Sequence, residues 1–175
     1  MTPTNSEAPA LEVDISIQEP EWESLPDIST QIETAVRTAV TLAPMPERIK
    51  GKTLEISIVL ANDDLMHVLN REYREKDNPT NVLSFASIDS EEFFIHDTVA
   101  LGDVMLGFQT IKRESVEQEK FLKDHILHLA VHGTLHLLGY DHRHESDAII
   151  MEALEIRILE KLGVQNPYTE KLIMP

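Results

Sequence analysis

The chain has 175 residues, 42% of them hydrophobic, with eight histidines, no cysteine and a formal net charge of −16. One domain is expected at this length, with a core that needs no covalent staples. The absence of thiols excludes disulfides and thiolate metal sites and fits a reducing compartment, so a bound zinc must be held by His, Asp or Glu. The acidic balance excludes general electrostatic affinity for nucleic acid, so any RNA role requires a locally basic patch.

Residues 1–10 are polar, with two prolines and no basic side chain, and read as a disordered tail rather than a secretory signal. No apolar run reaches the roughly 18 to 20 residues of a membrane span, which makes a soluble, cytoplasmic protein the expectation. Leu11, Val13, Ile15 and Ile17 alternate with polar residues and predict a half-buried strand that Pro20 ends. Ile32, Val36 and Val40 place a helix over Ile28 to Leu42, capped at Ser29 or Thr30 and closed by Pro44 and Pro46.

Leu54, Ile56, Ile58 and Leu60 give a second strand. Asn62 is an expected N-cap, with Asp63 and Asp64 in the first turn of a helix to about Tyr73 that buries Leu65, Val68 and Leu69. A polar loop, Arg74 to Asn81, leads to a short third strand over Val82 to Phe85. Ile88 to Asp97 is acidic and aperiodic and reads as a surface excursion. Val99 to Phe108 is a fourth strand, followed by helices over Gln109 to Gln118, Lys120 to Leu138 and Ser146 to Leu162. The last is expected to turn Ile149, Ala153, Ile156 and Leu159 inward, and Gly163 stops it. Residues 166–175 read as a loose tail. The predicted fold is a single α+β domain over residues 11–165: a mixed sheet of about four strands with about five helices, and a metal site at the end of a C-terminal helix.

That site is the segment His132-Gly133-Thr134-Leu135-His136-Leu137-Leu138-Gly139-Tyr140-Asp141-His142. His132 and His136 are four residues apart and share a helical face. Gly139 ends the helix, and its left-handed conformation can fold His142 back beside them. Three imidazoles then hold three corners of a tetrahedron and leave the fourth open, the pattern of a catalytic zinc. One ion per chain is expected, zinc or nickel, because imidazole ligands do not decide between them. His125 and His128 fall on the same stripe and read as core-edge histidines, with an orienting role as the alternative. His144 is a weak competitor for ligation; His67 and His96 have no partners nearby in sequence. Asp141 either receives an imidazole N–H or sits in the turn.

These eleven residues resemble the H-G-x-L-H-L-x-G-Y-D-H signature of the YbeY family of metal-dependent endoribonucleases. Tyr73-Arg74-Glu75-Lys76-Asp77-Asn78-Pro79-Thr80-Asn81-Val82-Leu83-Ser84-Phe85 resembles that family's second block, and Leu101-Gly102-Asp103-Val104 a third, in matching order over about Leu54 to Gly163. Ala86 departs from a proline common there. The resemblance implies zinc on His132, His136 and His142, a functional arginine at Arg74, and a role in ribosomal RNA maturation, notably at the small-subunit 3′ end, and in ribosome quality control. The implied partners are precursor rRNA and the small ribosomal subunit or its proteins; nothing in the sequence speaks to oligomeric state.

The expected chemistry is metal-assisted cleavage of an RNA phosphodiester, the metal activating water or polarising a phosphoryl oxygen while Arg74 binds the phosphate. Without the resemblance, Arg74 would read as one half of a surface salt bridge and Lys76 as a solvated loop charge. A metallopeptidase of the H-E-x-x-H type would carry a glutamate where this chain has Gly133, which counts against that rival and leaves the general base open. A ribosome assembly factor with a structural metal is the other alternative.

Overall fold

The computed structural model describes residues 9–87 and 97–168. Residues 1–8 of the expected N-terminal tail, residues 88–96 of the acidic excursion, with His96, and residues 169–175 of the C-terminal tail lie outside them.

Period-two alternation forms the sheet. Strands β1 (Leu11–Ile17), β2 (Thr53–Ala61), β3 (Val82–Ala86) and β4 (Thr98–Gly107) lie in the order β1-β2-β4-β3. β1, β2 and β4 run parallel, and β3 is an antiparallel edge strand on β4. Leu54, Ile56, Ile58 and Leu60 of β2 all face one side and are buried in the main core. Val104 pairs in register with both Ile58 and Ser84, so the same face continues across to the edge.

Helices α1 (Ile28–Leu42) and α4 (Leu122–Leu137) supply that core, and α5 (Glu145–Lys161) packs on both. α4 is apolar nearly all round and is surrounded by α1, α5, β3, β4 and helix α3 (Phe108–Glu117), as a central helix must be. On the opposite sheet face α2 (Asp63–Arg74) lays Met66, Leu65 and Leu69 over Leu83, Val59 and Met105. α3 (Phe108–Glu117) follows β4 directly. The predicted single α+β domain with four strands and five helices is the observed one.

The Asn62 cap forms: its Oδ1 accepts from Leu65 N at 2.9 Å. The adjoining helix ends cap each other too, since Asp63 Oδ1 accepts from Thr110 N at 2.9 Å and Gln109 Oε1 accepts from Asp63 N at 2.8 Å. Each such cap contributes about 1 kcal/mol.

Three local expectations are corrected. The N-cap of α1 is Asp27, with φ 57° and no side-chain capping bond, so Ser29 and Thr30 lie inside the first turn. The chain enters α1 from a 3₁₀ turn at Pro20–Ser24, pinned by fully buried Trp22, whose Nε1 donates to Ala61 O at 2.9 Å. In α2, Val68 is exposed while Met66 and Asn70 are buried. In α5, Ile149 and Ala153 face outward and the buried stripe is Met151, Glu155, Ile158 and Leu159. A stripe with a carboxylate in its middle looks polar to a hydropathy count; what makes it an inner face is a pair of partners on another helix.

Candidate metal centre

α4 closes in a two-bond glycine turn. Gly139 N donates to His136 O and Tyr140 N to Leu135 O, both at 3.0 Å, with Gly139 at φ 103°, a conformation glycine adopts without a Cβ penalty. Tyr140 Oη donates to Pro44 O at 2.7 Å and ties the turn to the segment after α1. The reversal brings the His142 ring to 5.5 Å from that of His132 and 5.2 Å from that of His136, between centroids, while the two helical rings are 4.6 Å apart. One nitrogen from each of the three lies within 4.8 Å of the other two, so this group can hold a metal ion.

The protonation pattern tests the fit. His136 Nδ1 lies 2.9 Å from Tyr140 O, and His132 Nδ1 lies 2.9 Å from Glu155 Oε2. A carbonyl and an ionised carboxylate only accept, so both Nδ1 atoms carry a proton, and the neutral form of each ring presents its lone pair at Nε2. These two Nε2 atoms are 3.0 Å apart. Two such nitrogens at that distance either share a proton or are drawn together by a cation; tetrahedral zinc with bonds of about 2.0–2.1 Å separates its ligands by roughly 3.3 Å. Burial, then the neighbouring His132 and His142, hold His136 down to about 4 against the hydrogen bond that its Nδ1–H donates to the Tyr140 carbonyl, so the ring is neutral and available as a ligand. The donor set suits a divalent ion of the zinc or nickel type.

Glu155 escapes detection in the sequence. Its side chain is fully buried, yet it receives His128 Nε2 at 2.6 Å on Oε1, His132 Nδ1 at 2.9 Å on Oε2, and the Tyr168 hydroxyl. Burial alone would raise its pKa; the hydrogen bonds from His128 and His132 outweigh that and hold it at about 2. A ligand histidine backed by a carboxylate is held in one tautomer and one ring orientation. The signal was its spacing from Met151, Ile158 and Leu159, a helical stripe that admits one acid. His128 thus helps to orient through Glu155, whereas buried His125 is paired with Glu114 at 2.9 Å.

The remaining histidines and acids sort simply. His144 stands at the N-cap position of α5 with no side-chain capping bond and is not in the three-histidine group, and His67 pairs with Asp77 at 2.7 Å on the surface. Asp141 belongs to the turn: Oδ1 accepts from His142 N at 2.7 Å and Oδ2 meets Arg143 Nε at 3.1 Å. The hydrogen bond from His142 N, and after it the Arg143 charge, lower its pKa.

Gly133 has a packing reason. A Cβ there would sit 2.6 Å from Val104 Cγ1 and 3.0 Å from Ser84 Oγ, so any side chain would push α4 off the sheet. This close approach, with Ser84 Oγ donating to Gly133 O at 3.2 Å, brings the histidines to the edge strand.

There they share a cleft of about 650 Å³ with Arg74, the last residue of α2. Val82, Leu83, Ser84 and Ala86 of β3 form its wall, and Arg143, which sequence reasoning passed over, stands on its rim. Arg74 makes no ion pair among the described residues, so a guanidinium faces the cleft in a chain of net charge −16. Lys76 does not line it.

Residues 17–163 match the family model described as Endoribonuclease YbeY. The chain is 43% identical to the endoribonuclease YbeY of Paramagnetospirillum magneticum over 164 residues, covering 92% of this chain and 98% of the relative. It is 46% identical to that of Rhodospirillum rubrum over 154 residues, covering 85% and 77%. The fold resembles a solution structure from Thermotoga maritima with a TM-score of 0.51 at 18% identity, over 87% of this chain and 92% of that one.

Proposed function

The chain belongs to the endoribonuclease YbeY family, and from that premise we propose that it is a zinc-dependent endoribonuclease cutting single-stranded RNA. In this reading His132, His136 and His142 hold one ion and Arg74 binds the scissile phosphate. The substrate is precursor ribosomal RNA near the small-subunit 3′ end, met on the small subunit or its proteins in the cytoplasm, and the outcome serves rRNA maturation and ribosome quality control. Among the described residues no helix is long and apolar enough to cross a membrane.

The observation that carries the reading is the meeting of Arg74 with the histidine group in one cleft. When bound there, the ion supplies Lewis acidity toward water or a phosphoryl oxygen. Arg74 contributes a planar fork that grips two phosphate oxygens and stabilises charge in the transition state. Glu155 keeps the His132 lone pair aimed inward, and the Tyr140 carbonyl does the same for His136. The wall is locally cationic because Arg74 adds a charge to the Arg143–Asp141 pair, and this offsets the repulsion that the acidic whole would impose on RNA.

Peptide hydrolysis fits less well. Asp141 is the one carboxylate lining the cleft among the described residues, and both its oxygens are engaged. RNA carries a 2′-hydroxyl beside each phosphate, so its cleavage does not require a carboxylate placed as in H-E-x-x-H peptidases.

Purified protein loaded with zinc is expected to cut a single-stranded precursor rRNA fragment. His132→Ala and Arg74→Ala are expected to lose this while keeping the parent's circular dichroism. Cleavage by both variants at the parental rate would mean a contaminating nuclease and sink the assignment.

A further inference from the structure

Among the described residues β3 has one partner, β4, and its other side faces the cleft. The hydrogen-bond parity tells which backbone groups point where. Gly107 N donates to Asn81 O and Ser87 N to Leu101 O, both at 2.9 Å, and the register between them is unbroken: Val82 opposes Leu106, Ser84 opposes Val104, Ala86 opposes Gly102. Asn81, Leu83, Phe85 and Ser87 therefore turn their amides toward β4. Val82, Ser84 and Ala86 turn theirs outward, and these are the β3 residues of that parity that line the cleft. Their N–H and C=O groups have no hydrogen-bond partner among the described residues. Such groups cannot remain dry without cost, so they are either wet or used.

Each of these residues offers a donor and an acceptor side by side, repeating at about 6.6 Å along the strand. A run of phosphates would satisfy the N–H groups but set its charge against the carbonyls. The edge of a nucleobase carries both donor and acceptor, and matches. In a duplex that edge is occupied by the opposite base; only an unpaired base offers it. We propose that the outward backbone of Val82, Ser84 and Ala86 is a base-reading rail, pairing with the Watson–Crick edges of unpaired nucleotides while Arg74 and Arg143 take the phosphates. The selectivity for single strands then comes from main-chain geometry rather than from a side-chain code. The occupant is nucleic acid rather than an extended peptide because the same wall carries Arg74, which has no ion-pair partner among the described residues, beside an Arg143–Asp141 pair, and so is net positive. The rail rests on the endoribonuclease reading but can fail on its own.

The test is amide NMR on the zinc-loaded chain, titrated with a single-stranded 2′-O-methyl oligonucleotide, which resists cleavage through a 2′-hydroxyl. The amides of Val82, Ser84 and Ala86 are expected to shift far more than those of Leu83 and Phe85, and the matching duplex is expected to leave them unmoved. Ala86→Pro deletes one outward donor at an edge position that proline tolerates. It should weaken binding of the single strand about fivefold, the scale of one net hydrogen bond, with the β3–β4 cross-peaks intact. Shifts confined to residues around Arg74, Arg143 and the histidines would overturn the rail and leave a phosphate-only grip. An extended peptide that moves the rail amides where RNA does not would overturn it in favour of strand addition. Cleavage of the matching unmodified RNA is measured in parallel. Cleavage with unmoved rail amides rejects the rail alone; rail shifts without cleavage by any metal-loaded preparation uphold the rail and reject the nuclease.

Discussion

Two clefts of nearly equal volume, about 650 and 640 Å³, lie on this molecule, and their chemistry is opposite. The first, at the β3 edge, holds three convergent imidazoles, Arg74 and an Arg143–Asp141 pair. The second, over β1 and β2, is lined by Glu12, Asp14, Glu55 and Asp103 with Arg37 as its cation. Arg37 is already spent, bonded to Glu33 Oε2 and Leu11 O, both at 2.9 Å. The acids of the second cleft sit on adjacent strands in register, Glu12 opposite Glu55 and Ser57 between Asp14 and Asp103, spread over a solvated sheet face. The lesson is that volume does not find a site and net charge does not exclude one. Convergence of donors with fixed protons, and in Arg74 a cation without an ion-pair partner among the described residues, distinguish the first cleft.

The largest break in this comparison is expected from Arg74→Ala or His136→Ala, each lowering cleavage of single-stranded RNA at least about 100-fold, the scale of losing one preorganised stabilising group. Neutralising the other cleft with Glu55→Gln plus Asp103→Asn should leave the rate within about twofold; an equal loss in both would erase the distinction.

Glu155→Gln should weaken zinc binding roughly 10- to 100-fold, read by competition with a chromophoric chelator, because the amide holds the His132 tautomer less firmly. The same variant has a pH signature in metal-free protein. The folded carboxyl sits at about 2, below the ordinary carboxylate value, so its stabilisation is complete above that value and is lost as pH falls from there toward 2. Unfolding by urea across this range should show that loss in the parent and a flatter profile in the variant.

Gly133→Ala is expected to cost about 1–3 kcal/mol in denaturant unfolding, since the stiff Val104 side chain must give way. The smallest effect belongs to Arg143→Ala, whose side chain is 83% exposed. RNA affinity should fall a few-fold and the slope of log affinity against log salt by about 0.7, one phosphate contact on a single strand. An unchanged slope would remove Arg143 from the binding wall.

Much of the site is legible along the chain because its geometry is local. A four-residue spacing lies on one face of any α-helix, and a glycine after the last turn reverses the chain without strain, so His132, His136 and His142 converge by rules that need no neighbours. Asn62 caps α2 for the same reason, and period-two alternation places β1 and β2. The long-range features depend on what packs against what. Glu155 reads as a solvated acid until α4 brings two histidines to it; Ile149 reads as core until that same packing turns it outward. Arg74 meets the histidines because β4 lies between β2 and β3 and makes β3 an edge, and because Gly133 lets α4 close onto it. The sequence by itself therefore determined the three-histidine group, its turn and the elements that carry them. Only the tertiary structure decided which carboxylate is buried and which arginine faces the cleft, because hydropathy cannot tell a paired charge from a hydrated one, and strand order is settled by the packing of the whole core.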